Sequence, residues 1–154
     1  MIMSRRAVIV SALGAVAASA GIVGYLTSGT AVDAADVTVY KSPSCGCCGE
    51  WIKHLRANGF SVAVTEMDNV EPIKVRHGVP SELQSCHTAL VEGYAIEGHV
   101  PAHDIRRLLS ERPAVRGLAV PGMPAGSPGM DGPAERYAVI LFSADGRQSV
   151  FSRY

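Results

Sequence analysis

The stretch Val37-Thr38-Val39-Tyr40-Lys41-Ser42-Pro43-Ser44-Cys45-Gly46-Cys47-Cys48-Gly49-Glu50-Trp51 passes from strand-like sequence through a polar turn into helical sequence. It places three of the chain's four cysteines within four positions. Val37 to Tyr40 is a β-branched and aromatic run that reads as a first strand. After the cysteines, Trp51, Ile52 and Leu55 share one helical face, Lys53 and Arg56 the other, and Asn58-Gly59 supplies a C-terminal stop. The cysteines therefore fall at a helix N-terminus, where unpaired N–H groups and the helix dipole favour thiolate over thiol. Thiolate is the form that attacks disulfides and binds metals.

Working outward, Phe60, Val62 and Val64 alternate with Ser61, Ala63 and Thr65 and mark a second strand, parallel to the first across the helix. Residues 68 to 76 read as a short helix with Pro72 in its first turn. A polar loop, Ser81 to His87, leads into the strand Thr88-Ala89-Leu90-Val91. Glu92-Gly93 turns the chain into Tyr94-Ala95-Ile96-Glu97, and a helix begins at Pro101 with Ile105, Leu108 and Leu109 on its buried face. Strand–helix–strand, helix, then strand–strand–helix is the order of the thioredoxin fold, so the expected class is α/β, thioredoxin-like, with a C-terminal β-hairpin extension. In that fold the loop before the third strand lies against the cysteine turn. Here that loop holds Cys86 and His87, which brings the fourth cysteine to the other three across about 40 residues of sequence. Thioredoxins place a cis-proline there; a potential ligand in its stead favours metal binding over disulfide exchange.

From Gly117 the composition changes: the segment 117–133 is rich in glycine and proline and carries Met123 and Met130, and it is expected to be a loop. Beyond it, the hairpin 137–153 turns at Asp145-Gly146. At the other end, Arg5 and Arg6 precede an uncharged run from Ala7 to about Thr30, followed by the small-residue pattern Val32-Asp33-Ala34. Residues 1–34 read as an export signal, by the general or the twin-arginine route. An uncleaved anchor is the rival reading, since ~20 apolar residues span a bilayer. The expected domain, residues 35–154, keeps 12 basic and 13 acidic residues, a formal net charge of −1. That balance suggests no nucleic-acid partner. Export places the chain in the periplasm, where cysteines ordinarily become structural disulfides. Adjacent Cys47 and Cys48 pair with each other only with difficulty, which sets this chain apart from a disulfide framework.

Four segments carry a family resemblance: Tyr40 to Cys48, Gln84-Ser85-Cys86-His87-Thr88, Glu97-Gly98-His99-Val100-Pro101, and Gly117 through Met130. In this order they resemble the CopG proteins, exported bacterial metal-binding proteins associated with copper resistance, over about residues 36 to 154. The resemblance implies a thioredoxin-like domain that binds copper through its cysteines and interconverts Cu(I) and Cu(II). The expected partners are copper ions and other periplasmic copper-handling proteins, with a membrane involved only if the N-terminal segment is uncleaved.

The residues themselves lead towards the same chemistry. Soft thiolates and thioethers select Cu(I), with Zn(II) the main competitor. Three thiolates crowded into one turn suit bridging in a multinuclear Cu(I) cluster better than four corners of one zinc tetrahedron. The expected metal ligands are Cys45, Cys47, Cys48 and Cys86, with His87 as a ligand or a hydrogen-bonding neighbour, and Met123 and Met130 as thioethers for transient Cu(I) capture. His99 is read as capping or packing at least as readily as ligating, His54 as a partly exposed helix residue, and His77 and His103 as solvated. Cys45 and Cys48 are the candidate redox pair and can join when metal is absent, leaving Cys47 and Cys86 to pair or stay free. Two other functions remain open from sequence: a thiol-disulfide oxidoreductase using Cys45 and Cys48, and a non-catalytic zinc or copper storage module.

Overall fold

The computed structural model describes residues 36–154, so the expected export signal lies outside the described residues. The elements run β1 (Val37–Lys41), α1 (Gly46–Ala57), β2 (Val62–Glu66), α2 (Glu71–Arg76), a 3-10 turn (Ser81–Leu83), β3 (His87–Val91), β4 (Tyr94–Glu97), α3 (Ala102–Glu111), β5 (Gly117–Ala119), β6 (Ala138–Phe142) and β7 (Gln148–Arg153). The seven strands form one mixed sheet in the order β2-β1-β3-β4-β5-β6-β7. β1 and β2 are parallel, as a strand–helix–strand unit requires, and β3 and β4 form the hairpin turned by Glu92-Gly93. Among the described residues no helix is long and apolar enough to cross a membrane.

The core lies where the helices meet the sheet. Val37 and Val39 of β1, Trp51, Ile52 and Leu55 of α1, Ile96 of β4, Ile105 and Leu108 of α3, and Leu118 of β5 belong to one buried cluster. The apolar face read for α1 is therefore the face that packs, and each fully buried Leu or Ile contributes roughly 1.5–3 kcal/mol of transfer free energy. β2 behaves differently. It is an edge strand whose residues are mostly exposed, Val64 among them.

The segment 117–133 corrects the expectation of a loop throughout. Gly117–Ala119 is a fully buried strand held between β4 (parallel) and β6 (antiparallel). Three residues bounded by glycine and proline carry too little period to be read as a strand; two partners supplying both ladders make it one. The C-terminal hairpin then extends the sheet and is fastened to α3. Ser152 and Tyr154 donate their hydroxyls to the buried Asp104 carboxylate at 2.6 and 2.9 Å.

Candidate metal centre

β1 ends at Lys41, and the turn after it closes with the Cys45 N–H donated to the Ser42 carbonyl at 3.1 Å. Cys45 takes the N-cap position of α1, and Cys47 and Cys48 fall in its first turn, which holds no acidic residue. No carboxylate there competes with thiolate for the positive end of the helix. The β1–β3 register sets Lys41 opposite His87, so Cys86, one residue before the strand, arrives at the same end of the sheet. The sulfurs of Cys45, Cys47, Cys48 and Cys86 all lie within 4.8 Å of one another. Cys48 is buried and Cys86 is exposed, so the group reaches from the core to the surface.

Cys45 and Cys48 are joined as a disulfide, and Cys47 and Cys86 are free. The Cys86 sulfur lies 3.3 Å from Cys45 Sγ and 3.2 Å from Cys48 Sγ, beside the bond rather than along its axis. Thiol-disulfide exchange proceeds by attack of a thiolate on one disulfide sulfur, and a nearly equidistant sulfur is not lined up on either. Burial, and after it the neighbouring Cys47, pushes the Cys86 thiol up to about 11. A metal held there displaces a proton, which makes uptake pH-dependent.

Inward of Cys86 lie two histidines with no exposed surface, His87 and His99. His87 Nδ1 is 3.8 Å from the Cys86 sulfur. Side-chain alternation along a strand does not separate these two neighbours, because Cys86 precedes β3 and only His87 belongs to it. His99 is delivered by Gly98, whose φ of +71° turns the chain inward after β4, and a Cβ on Gly98 would meet the Val120 carbonyl oxygen at 2.6 Å. The Trp51 ring lies 4.5 Å from His87 and 6.3 Å from His99, and its indole N–H donates to the Val100 carbonyl at 2.9 Å. Burial first, and then the pair's mutual proximity and Lys74, lower the His87 pKa to about 3; burial lowers His99 to about 4. Both rings are neutral at neutral pH. His87 Nε2 and both nitrogens of His99 have no hydrogen-bond partner, the Gly98 and Pro128 carbonyls near them falling short of bonding geometry.

A second buried polar group holds the loop that carries Cys86. Lys74 of α2 forms an ion pair with Glu97 of β4 and donates to Thr88 Oγ1 at 2.9 Å. Glu97 accepts from the Ser85 N–H at 2.6 Å and the Thr88 hydroxyl at 2.8 Å. Lys74 does not stand out in sequence, and Glu97 does so only as the start of a segment of family resemblance, with no sign of a partner. A lysine in a short polar helix and a glutamate ending a strand show their pairing only once β3 and β4 align Thr88 with Glu97.

The methionine segment is pinned rather than loose. Met130 N–H donates to Ser127 O, Glu135 N–H to Ala125 O, and the buried Ser127 hydroxyl to Pro124 O. It rests on α1: a Cβ on Gly129 would lie 2.6 Å from the backbone nitrogen of Trp51. Met130 follows that contact, and both Met123 and Met130 are half-buried. His54 accepts the Ala102 N–H through Nε2 at 3.1 Å and so caps the start of α3, while His77 is half-buried and His103 exposed.

This arrangement has close relatives. Two solved structures of a copper resistance protein copG, forms 2 and 1, match the chain with 45% identity and a TM-score of 0.73, over 77% of this chain and 96% and 95% of theirs. The chain belongs to the CopG family. A family described as "Protein of unknown function, DUF411" matches residues 83–130, the part from the 3-10 turn to Met130. No curated protein matches. In a CopG homologue, four cysteine sulfurs this close make a cluster able to bind metal.

Proposed function

We propose that this chain is an exported, periplasmic copper-handling protein built on a thioredoxin-like framework, with copper as its substrate. The convergence of four cysteine sulfurs from two distant segments within 4.8 Å is the observation that carries it. Reduced, Cys45, Cys47, Cys48 and Cys86 hold Cu(I) as a thiolate cluster, and Met123 and Met130 lend thioethers to capture and release. The electron balance is direct. Two Cu(II) accept the two electrons released when the Cys45 and Cys48 thiolates join as a disulfide, giving two Cu(I). The reverse reaction takes two Cu(I), the disulfide and two protons to two Cu(II) and two thiols.

Anaerobic titration of the reduced protein with Cu(I) against a competing chelator tests the site. More than one Cu(I) held per chain, lost in Cys86→Ser, is the expected result. Zinc uptake without affinity for Cu(I) overturns it. Met123→Leu with Met130→Leu weakens copper uptake while the thermal unfolding midpoint stays put; unchanged uptake assigns both residues to packing.

A second reading, thiol-disulfide oxidoreductase, is favoured by the Cys45–Cys48 disulfide at the N-terminus of α1. Catalysed reduction of insulin by metal-free protein supports it, and inactivity there leaves copper as the substrate of the redox pair.

A further inference from the structure

In the disulfide form two of the four thiolates are consumed, and Cys47 and Cys86 are the cysteine donors left. The same point in the fold holds other donors. The Cys86 sulfur and one nitrogen each of His87 and His99 lie within 4.8 Å of one another, and both histidines are buried. Three of the four ring nitrogens have no partner. An unsatisfied polar atom in a folded core costs about 1–3 kcal/mol, and such atoms in native proteins commonly mark a ligand, ion or water. Packing alone does not account for them, since an aromatic or aliphatic ring against Trp51 would fill the space without that cost.

We propose that Cys86, His87 and His99 form a second metal site of mixed sulfur and nitrogen donors, which shares Cys86 with the four-cysteine cluster and takes a divalent ion while Cys45 and Cys48 are joined. Metal–nitrogen and metal–sulfur distances near 2.0 and 2.3 Å put the donors of one tetrahedral ion roughly 3.3–3.5 Å apart. Ring rotations close the remaining gap from the present spacing. The donor set differs in preference from the cluster beside it. Thiolates alone select Cu(I), whereas two imidazoles and one thiolate form a set found in copper sites that also accommodate Cu(II). The two donor sets share one sulfur. Four thiolates serve the univalent ion, and the histidine side serves the divalent one, which enters as the oxidant of the thiols or leaves as the product of disulfide reduction. This deepens the copper reading and rests on it for the identity of the ion; the existence of the site rests on the orphaned nitrogens.

Cobalt(II) chloride is the probe, because Co(II) neither reduces the disulfide nor is reduced by a thiol. The full chain, with its disulfide intact and oxygen excluded, is titrated while visible absorption and fluorescence are followed. Trp51 is the chain's single tryptophan and its ring lies 4.5 Å from that of His87, so a metal there quenches the emission. Expected are one Co(II) per chain, the visible bands of tetrahedral Co(II) with a thiolate charge-transfer band, quenched fluorescence, and paramagnetically shifted imidazole resonances for His87 and His99 in the wild-type protein. His99→Phe, which keeps a ring against Trp51, weakens Co(II) uptake roughly tenfold or more, since removing even a ligand's supporting partner costs 10–100-fold. Cys86→Ser removes the charge-transfer band. Absence of Co(II) uptake, uptake with Trp51 emission and the imidazole resonances unchanged, or wild-type affinity in folded His99→Phe overturns the proposal and assigns the nitrogens to buried water. The reduced wild-type chain titrated with Cu(I) reads the four-cysteine site separately, so failure of one site is told apart from failure of the other.

Discussion

Two buried polar groups flank the start of β3, and they differ in how completely they are satisfied. Around Glu97 the groups close on themselves: Lys74 is bonded to Glu97 and Thr88, and Glu97 also accepts from Ser85. Around His87 and His99 three ring nitrogens have no partner. Both groups are shielded from water, so burial does not explain the contrast. A closed network specifies structure, holding the Cys86 loop against the sheet. An open one, at equal depth and a few ångströms from the free Cys86 thiol, is a set of donors awaiting an acceptor.

The largest effect should come from opening the closed group. Glu97→Ala leaves the Lys74 ammonium buried without its counter-charge and should cost about 3–5 kcal/mol in denaturant unfolding. A loss below about 1 kcal/mol would mean that water reaches Lys74 and that the two groups are less different than they look. Next, Gly98→Ala forces a side chain into a left-handed conformation and against the Val120 carbonyl, at roughly 1–3 kcal/mol. It should also displace His99, so that Co(II) uptake by the disulfide form falls together with stability; a fall in stability alone would separate the turn from the site.

The open group predicts a pH response of the metal-free protein. His87 and His99 hold their protons less tightly folded, near 3 and 4, than an unfolded histidine near 6.5. The unfolded chain therefore binds more protons across that window, and stability rises with pH there. Lowering the pH from about 6.5 should depress the unfolding midpoint progressively until the folded-state values are reached, and His99→Phe should flatten part of the slope. An identical slope in that variant would show that carboxylates alone carry the acid response. The smallest effect belongs to His54→Ala, which removes the acceptor for the Ala102 N–H at the start of α3 and should cost about 0.5–1.5 kcal/mol. No change in the midpoint would show that water replaces the cap.

Most of the framework was legible in the sequence because it is written in local pattern. Val37 to Trp51 declares a strand, a turn and a helix in turn, and the Asp145-Gly146 turn declares the final hairpin. The meeting of Cys86 with the cysteine turn was legible too, through strand order rather than spacing. What escaped depends on tertiary neighbours. β5 is a strand because β4 and β6 flank it, and Val64 is exposed although its pattern matches a core strand, because β2 has a partner on only one side. The burial of His99 has no local signature: it lay inside a segment of family resemblance and was read as capping or packing at least as readily as ligating. Lys74 and Glu97 are 23 residues apart and become a pair only through the sheet.

The Trp51 bond to the Val100 carbonyl bears on how such a centre can be moved between proteins. It cross-braces the helix that begins with the cysteines to the turn that delivers His99, so the spacing between sulfur and nitrogen donors belongs to neither segment alone. Grafting the cysteine turn onto another scaffold would transplant half of an instrument. The portable unit is the cysteine turn with α1 through Trp51, the Ser85–His87 approach and the Glu97–Pro101 turn, carried together.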